Sequence, residues 1–102
     1  MAIIDVYVTF PNADEARRVS RELIKKRLIA CANIHPVESI YRWKGKVEET
    51  FEVAAHMKAR KSGWRKLKEE IGRLHPYEVP CIIMHEATAN KSYIDWVRKE
   101  TA

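Results

Sequence analysis

Two long extended runs flank the dipeptide Lys44-Gly45. They constrain the fold more than any other feature of the chain. Ile29 to Trp43 reads as one strand and Lys46 to Arg60 as its partner, with Lys44-Gly45 as the hairpin turn. In the second arm Val47, Phe51, Val53, Ala55 and Met57 alternate with Glu48, Thr50, Glu52, His56 and Lys58, the period of a half-buried strand. Each arm holds about 14 residues, or roughly 45 Å at ~3.3 Å per residue. The only other long strand candidate, Ile3 to Phe10, has eight residues, with Ile4, Val6, Val8 and Phe10 on one face. The far half of the hairpin therefore has no partner within its own chain. An exposed flat edge invites association, so the mismatch predicts a homo-oligomer. Pro36 cannot donate to a ladder, which predicts a bulge or a sheet edge at that point.

The remaining elements fall into order around this hairpin. Asn12 and Glu15 have capping-box spacing before a helix that runs to about Arg27, with Ala16, Val19 and Leu23 as its apolar stripe. Ser62 is expected to cap a second helix, whose buried face is Trp64, Leu67, Ile71 and Leu74. His75-Pro76 ends it. Cys81 to Ala87 reads as a short strand, and Asn90 opens a last helix with Tyr93, Trp96 and Val97 inward. The order β-α-β-β-α-β plus a helix predicts an α+β, ferredoxin-like sandwich over residues 1–102 as one domain: an antiparallel sheet with both main helices on one face.

Composition narrows the function classes. No run approaches the ~18 apolar residues of a membrane span. An apolar fraction of 46% excludes disorder as the main state. The start, Met1-Ala2-Ile3-Ile4-Asp5, has no basic stretch and breaks its apolar run with an acid, so it does not read as an export signal. Cys31 and Cys81 are then expected to be free cytosolic thiols. The formal charge is +5, yet residues 14–27 carry +3 and residues 58–74 carry +5, leaving −3 for the rest. The positive excess belongs to the helical layer and not to the sheet, which weakens an RNA-binding platform. The high charged fraction suits a heat-stable surface.

Three segments carry a family resemblance: Leu28-Ile29-Ala30-Cys31-Ala32-Asn33-Ile34, Tyr41-Arg42-Trp43-Lys44-Gly45-Lys46-Val47-Glu48-Glu49, and His75-Pro76-Tyr77-Glu78-Val79-Pro80. With Thr9-Phe10-Pro11 and Tyr93-Ile94-Asp95-Trp96, in this order, the chain resembles the CutA divalent-cation-tolerance family over nearly its whole length. The resemblance implies a cytoplasmic homotrimer whose long hairpins pair between subunits, similar in assembly to the PII signalling proteins. It also implies a link to copper and other divalent metals, with no established catalytic activity. It makes Cys31 the copper-ligand candidate and places Tyr41, Trp43, Glu49, Lys58, Pro76 and Tyr77 near clefts between subunits. Cys81 stands where the family usually has glutamate, which favours softer metals there.

The side chains themselves offer Cys31, Cys81, His35, His56, His75 and His85 as ligands. Cys31 is the first candidate, followed by Cys81, His35 and His75, each also readable as packing, surface or turn residues. Cys31/His35 and Cys81/His85 share a spacing of four, but four residues along a strand span ~13 Å, too far to chelate one ion unless a bulge intervenes. No Cys-x-x-Cys, His-Glu-x-x-His, nucleophile elbow, Walker loop or Rossmann glycine pattern is present, so an enzyme is not expected. Two alternatives to metal binding stay open. One is a PII-like sensor that takes a small anionic ligand between subunits through Trp43, Lys58 and Tyr77. The other is an RNA-binding module stacking bases on Tyr41, Trp43 and Phe51, against which Glu48, Glu49 and Glu52 count.

Overall fold

The computed structural model describes residues 3–102; Met1 and Ala2, on which part of the export-signal reading falls, lie outside the described residues. Along the chain stand β1 (Ile3–Phe10), α1 (Ala13–Lys25), β2 (Cys31–Trp43), β3 (Lys46–Arg60), a 3₁₀ turn (Lys61–Gly63), α2 (Trp64–Leu74), β4 (Ile82–Ala87) and α3 (Lys91–Glu100). The four strands form one antiparallel sheet in the order β2-β3-β1-β4. This is the ferredoxin-like sandwich with the long hairpin and extra helix that the sequence predicts.

The period of two in β1 builds the core. Ile4, Val6, Val8 and Phe10 are fully buried, facing Ala16, Val19 and Leu23 of α1 and Leu67 and Ile71 of α2. Burial of each large side chain contributes about 1.5–3 kcal/mol. Asn12 caps α1 by accepting the Glu15 amide at 2.9 Å. The helix ends at Lys25, two residues short of the expected Arg27. There the Arg27 and Leu28 amides turn back to the Ile24 and Leu23 carbonyls, both at 2.9 Å. This 6→1, 5→2 closure puts Arg27 in the left-handed region at φ 60°.

The helical layer also resolves the charge excess. Glu15 pairs with Arg18, and Glu70 takes both Arg73 and Lys26, which ties α1 to α2. The hydrogen bonds from Arg73 and Lys26 hold the Glu70 carboxyl down at about 2.

The hairpin turns at Lys44 and Gly45, with φ of 50° and 81°, the paired positive values a two-residue type I′ turn demands. β3 pairs with β2 from Lys46 to Lys58 but with β1 only from Val53 to Arg60. Among the described residues, 46–52 thus have a strand neighbour on one side only. The apolar alternation continues there with nothing above it: Phe51 is 78% exposed, Ile40 72% and Val47 59%. The longest dimension of the molecule, 44 Å, reflects the same projecting hairpin.

Of the bulge or edge expected at Pro36, the edge is what forms: the register runs unbroken through Pro36↔Val53, and the proline is tolerated because β2 is the edge strand. Several other local expectations are corrected. β2 begins at Cys31, since Ile29 is drawn into the core, and β4 begins at Ile82. Ser62 does not cap α2; it lies inside the 3₁₀ turn, and Gly63 is the cap residue, without a side-chain bond. Trp96 is 41% exposed, because α3 buries Val97 and turns Tyr93 toward the sheet.

His75 fastens α2 to β1. Its backbone amide closes α2 on Ile71, its ring stacks on Phe10 at 4.7 Å, and its Nε2 donates to the Thr9 carbonyl at 2.7 Å. Its Nδ1 accepts the Tyr77 amide at 3.1 Å. One nitrogen must donate and the other accept, so only the neutral ring fits. Burial pushes the His75 pKa down accordingly. The unfolded chain then binds the extra proton, so stability is full above the unfolded value of about 6.5 and declines as pH falls below it. Denaturant titrations across that range should show this slope in the wild type and a flatter one in His75→Ala, which also loses about 1–3 kcal/mol at neutral pH for the orphaned Thr9 and Tyr77 groups. Equal slopes in the two proteins would contradict this account.

Candidate metal and ligand sites on the open sheet face

Helices α1 and α2 cover one face of the sheet; the other is open except where α3 lies across its end. Register and the period of two decide what stands on the open face. Cys31, Lys58, Asp5 and His85 form one row across the four strands. Asn33, His56, Tyr7 and Ile83 form the next, followed by His35, Ala54 and Thr9. Cys81 precedes β4 and continues that third row beside Thr9. Cys31, His35, His56 and His85 therefore share a single face, with Cys81 at its margin. His75 alone stands elsewhere, and both its nitrogens are already engaged.

The row containing Cys31 is the most densely built. The thiol is half-buried under α3, with Sγ 3.2 Å from the Tyr93 hydroxyl. Burial, then the bond to Cys31, raises the Tyr93 pKa to about 12. Lys58 Nζ donates to Asn33 Oδ1 at 3.0 Å and stands 4.0 Å from Asp5 Oδ1. That Asp5 oxygen is buried and has no hydrogen-bond partner among the described residues. The row thus holds two contacts, a thiol against a phenol and an under-satisfied carboxylate against an ammonium group. No group of three or more His, Cys, Asp or Glu with metal-site geometry occurs among the described residues.

The equally spaced pairs Cys31/His35 and Cys81/His85 do not meet. Without a bulge, each pair lies two rows apart on the sheet, ~13 Å along the strand. His35 instead reaches diagonally to His56, with Nε2 to Nε2 at 2.9 Å. Sequence spacing alone could not reveal that contact, because it depends on the β2–β3 register.

Further along the same face, a cleft of about 630 Å³ opens between the hairpin and residues 77–81. Tyr41, Trp43, Tyr77 and Cys81 line it, together with Glu52. Glu52 is only 9% exposed and accepts the Tyr77 hydroxyl at 2.7 Å. Burial and then this carboxylate push the Tyr77 pKa up strongly, and the same two causes, in the same order, raise Cys81. The Cys81 thiol is therefore held protonated, which opposes metal capture. Lys58 is not part of this cleft, and Glu49 stands on the opposite face of the hairpin, in register with Ile40. Within one chain, Trp43, Lys58 and Tyr77 do not form an anion site. The open face mixes Asp5, Glu48 and Glu52 with Lys46, Lys58 and Arg60, so it offers phosphate no unbroken cationic track.

Comparison with known proteins agrees with this architecture. Residues 4–100 match the family model described as CutA1 divalent ion tolerance protein. The divalent-cation tolerance protein CutA of Pyrococcus horikoshii is 46% identical over 100 residues, covering 97% of this chain and 98% of that protein. A crystal structure of CutA1 from the same organism superposes with a TM-score of 0.94 at 45% identity, covering 97% of this chain and 98% of the other. A structure described as the periplasmic divalent cation tolerance protein CutA of Archaeoglobus fulgidus gives 0.93 at 32% identity, covering 96% and 97%. With its whole sheet-and-helix frame and nearly its full length matched, this chain belongs to the CutA1 divalent ion tolerance family.

Proposed function

We propose that this chain serves divalent-cation tolerance as a cytoplasmic homotrimer that binds copper or a similar metal, and that it is a binding protein and not an enzyme. The metal reading is carried by one observation: Cys31, His35, His56 and His85 stand on a single face of the sheet that α1 and α2 leave open. Cys31 is the first ligand in this reading, as a thiolate donor in the same row of the sheet as the under-satisfied Asp5 carboxylate. Soft and imidazole donors suit copper above magnesium or calcium. The cytoplasmic assignment is supported by the two free thiols.

Trimerisation is supported by residues 46–52 of β3, whose backbone faces no strand on one side, and by exposed Ile40, Val47 and Phe51 beside them. A second copy of the hairpin supplies both missing requirements, backbone partners and apolar cover.

Sedimentation equilibrium should return three times the chain mass of 11.9 kDa. Phe51→Asp, which places a charge on the projecting half, should shift the distribution toward the single chain. A wild-type monomer would refute the assembly. Calorimetric titration with Cu(I) and Cu(II) should show binding by the wild type that Cys31→Ser weakens by roughly tenfold or more, the scale of losses at metal sites. Unchanged affinity would remove Cys31 from the ligand set.

A further inference from the structure

We propose that the cleft between the hairpin and residues 77–81 binds an aliphatic polyamine. The proposal goes beyond the metal reading and does not depend on it. At about 630 Å³ the cleft has the size of a small-molecule pocket. Its lining runs against the charge of the chain as a whole. The chain carries a formal +5, yet among the described residues the cleft is lined by Glu38, Glu52 and Glu78 and by no lysine, arginine or histidine. Tyr41, Trp43 and Tyr77 supply aromatic walls. Carboxylates without cations repel an anionic ligand, and aromatic faces attract an ammonium group. The two signals come from different side chains and select the same ligand chemistry.

Glu52 is the anchor. It is only 9% exposed, and a carboxylate that deep is costly without a compensating charge. Tyr77 donates to its Oε2, and no other hydrogen bond to this carboxylate forms among the described residues. Tyr77 is a neutral donor, and burial followed by Glu52 holds both it and the Cys81 thiol protonated. The buried part of the cleft therefore offers a carboxylate with one oxygen free and no cation to meet it. Glu38 and Glu78 are exposed and flank this anchor: Glu38 follows Val37, which pairs with Glu52, and Glu78 follows Tyr77, which bonds it. A polyamine uses this whole lining, with one ammonium group at Glu52, another at the outer acids and the methylenes between them along the rings. A singly charged amine uses only part of it. Tyr41 and Trp43 are 41% and 39% exposed, which leaves ring surface for the methylenes to cover. Lys44 Nζ already stands over the Trp43 ring at 5.6 Å, so this ring takes a cation from the chain itself. A second copy paired along the free edge of β3 would lie in the plane of the sheet, adding floor to the cleft without filling it.

The test is calorimetric titration of the full chain, stripped of metal, with spermidine at low ionic strength. Wild type is compared with Glu52→Gln, Trp43→Leu and Glu69→Gln, and sedimentation checks that each variant keeps the wild-type assembly. Glutamine at position 52 can still accept the Tyr77 hydroxyl, so that variant removes the charge and keeps the contact. Glu69 is an exposed acid of α2, outside the cleft. The expected result is saturable binding by the wild type, weakened roughly tenfold or more by Glu52→Gln and roughly threefold by Trp43→Leu, and unchanged by Glu69→Gln. If Glu52→Gln does not fold, Trp43→Leu against Glu69→Gln decides alone. Equal weakening by the cleft variants and Glu69→Gln would reduce the effect to diffuse charge attraction and overturn the site, as would a wild type that binds no spermidine. Tetramethylammonium bound as tightly as spermidine would overturn the polyamine assignment. With no metal present, none of these failures touches the metal reading.

Discussion

The fold depends on β3 having two different edges along its length. From Val53 onward it lies between β2 and β1, and its odd positions close the core against both helices. From Lys46 to Glu52 it keeps β2 and, among the described residues, has no strand neighbour on the other side. The same strand therefore builds the interior at one end and an unsatisfied edge at the other. Backbone donors and acceptors that lack partners, flanked by exposed apolar side chains, make up the surface a second copy would complete. The register that fixes this boundary also decides which ligating side chains reach the open face, because a slip of one residue would send every one of them to the other side.

Much of this was legible in the sequence, for identifiable reasons. The alternation in β1 has one solution, since Ile4, Val6, Val8 and Phe10 must all be buried together. Lys44-Gly45 specifies its own turn. The unequal strand lengths are simple arithmetic. What failed was local reading where tertiary structure decides. Phe51 and Val47 continue the apolar period yet face outward, because the helices end before the hairpin does. Ser62 has capping chemistry, but the chain enters α2 through a 3₁₀ turn that places Gly63 at the cap. Trp96 lies beside Val97 on a helix that has only one narrow buried line.

The candidate sites were partly legible. Period two puts Cys31 and His35 on one face, and strand rise correctly separates them. The groups that meet them come from distant parts of the chain: Tyr93 from α3 and His56 from the facing strand. Glu52, read as one of the polar positions alternating along β3, is instead almost buried and bound to Tyr77. No spacing rule identifies such partners without the sheet register. His75 is the opposite case. It has the chemistry of a ligand, but Thr9 and Tyr77 occupy both its nitrogens, so its work is to hold α2 and the following loop against β1.

The central claim is that the projecting half of β3 is paired with another copy of the chain. Hydrogen–deuterium exchange measures this directly at the amides of residues 46–52 that point away from β2. The account predicts protection there comparable to that of the β3 amides bonded to β1, and loss of that protection on dilution below the assembly threshold. Rapid exchange at these amides at every concentration, with the β1-paired half protected, would show that the edge is free and would contradict the account.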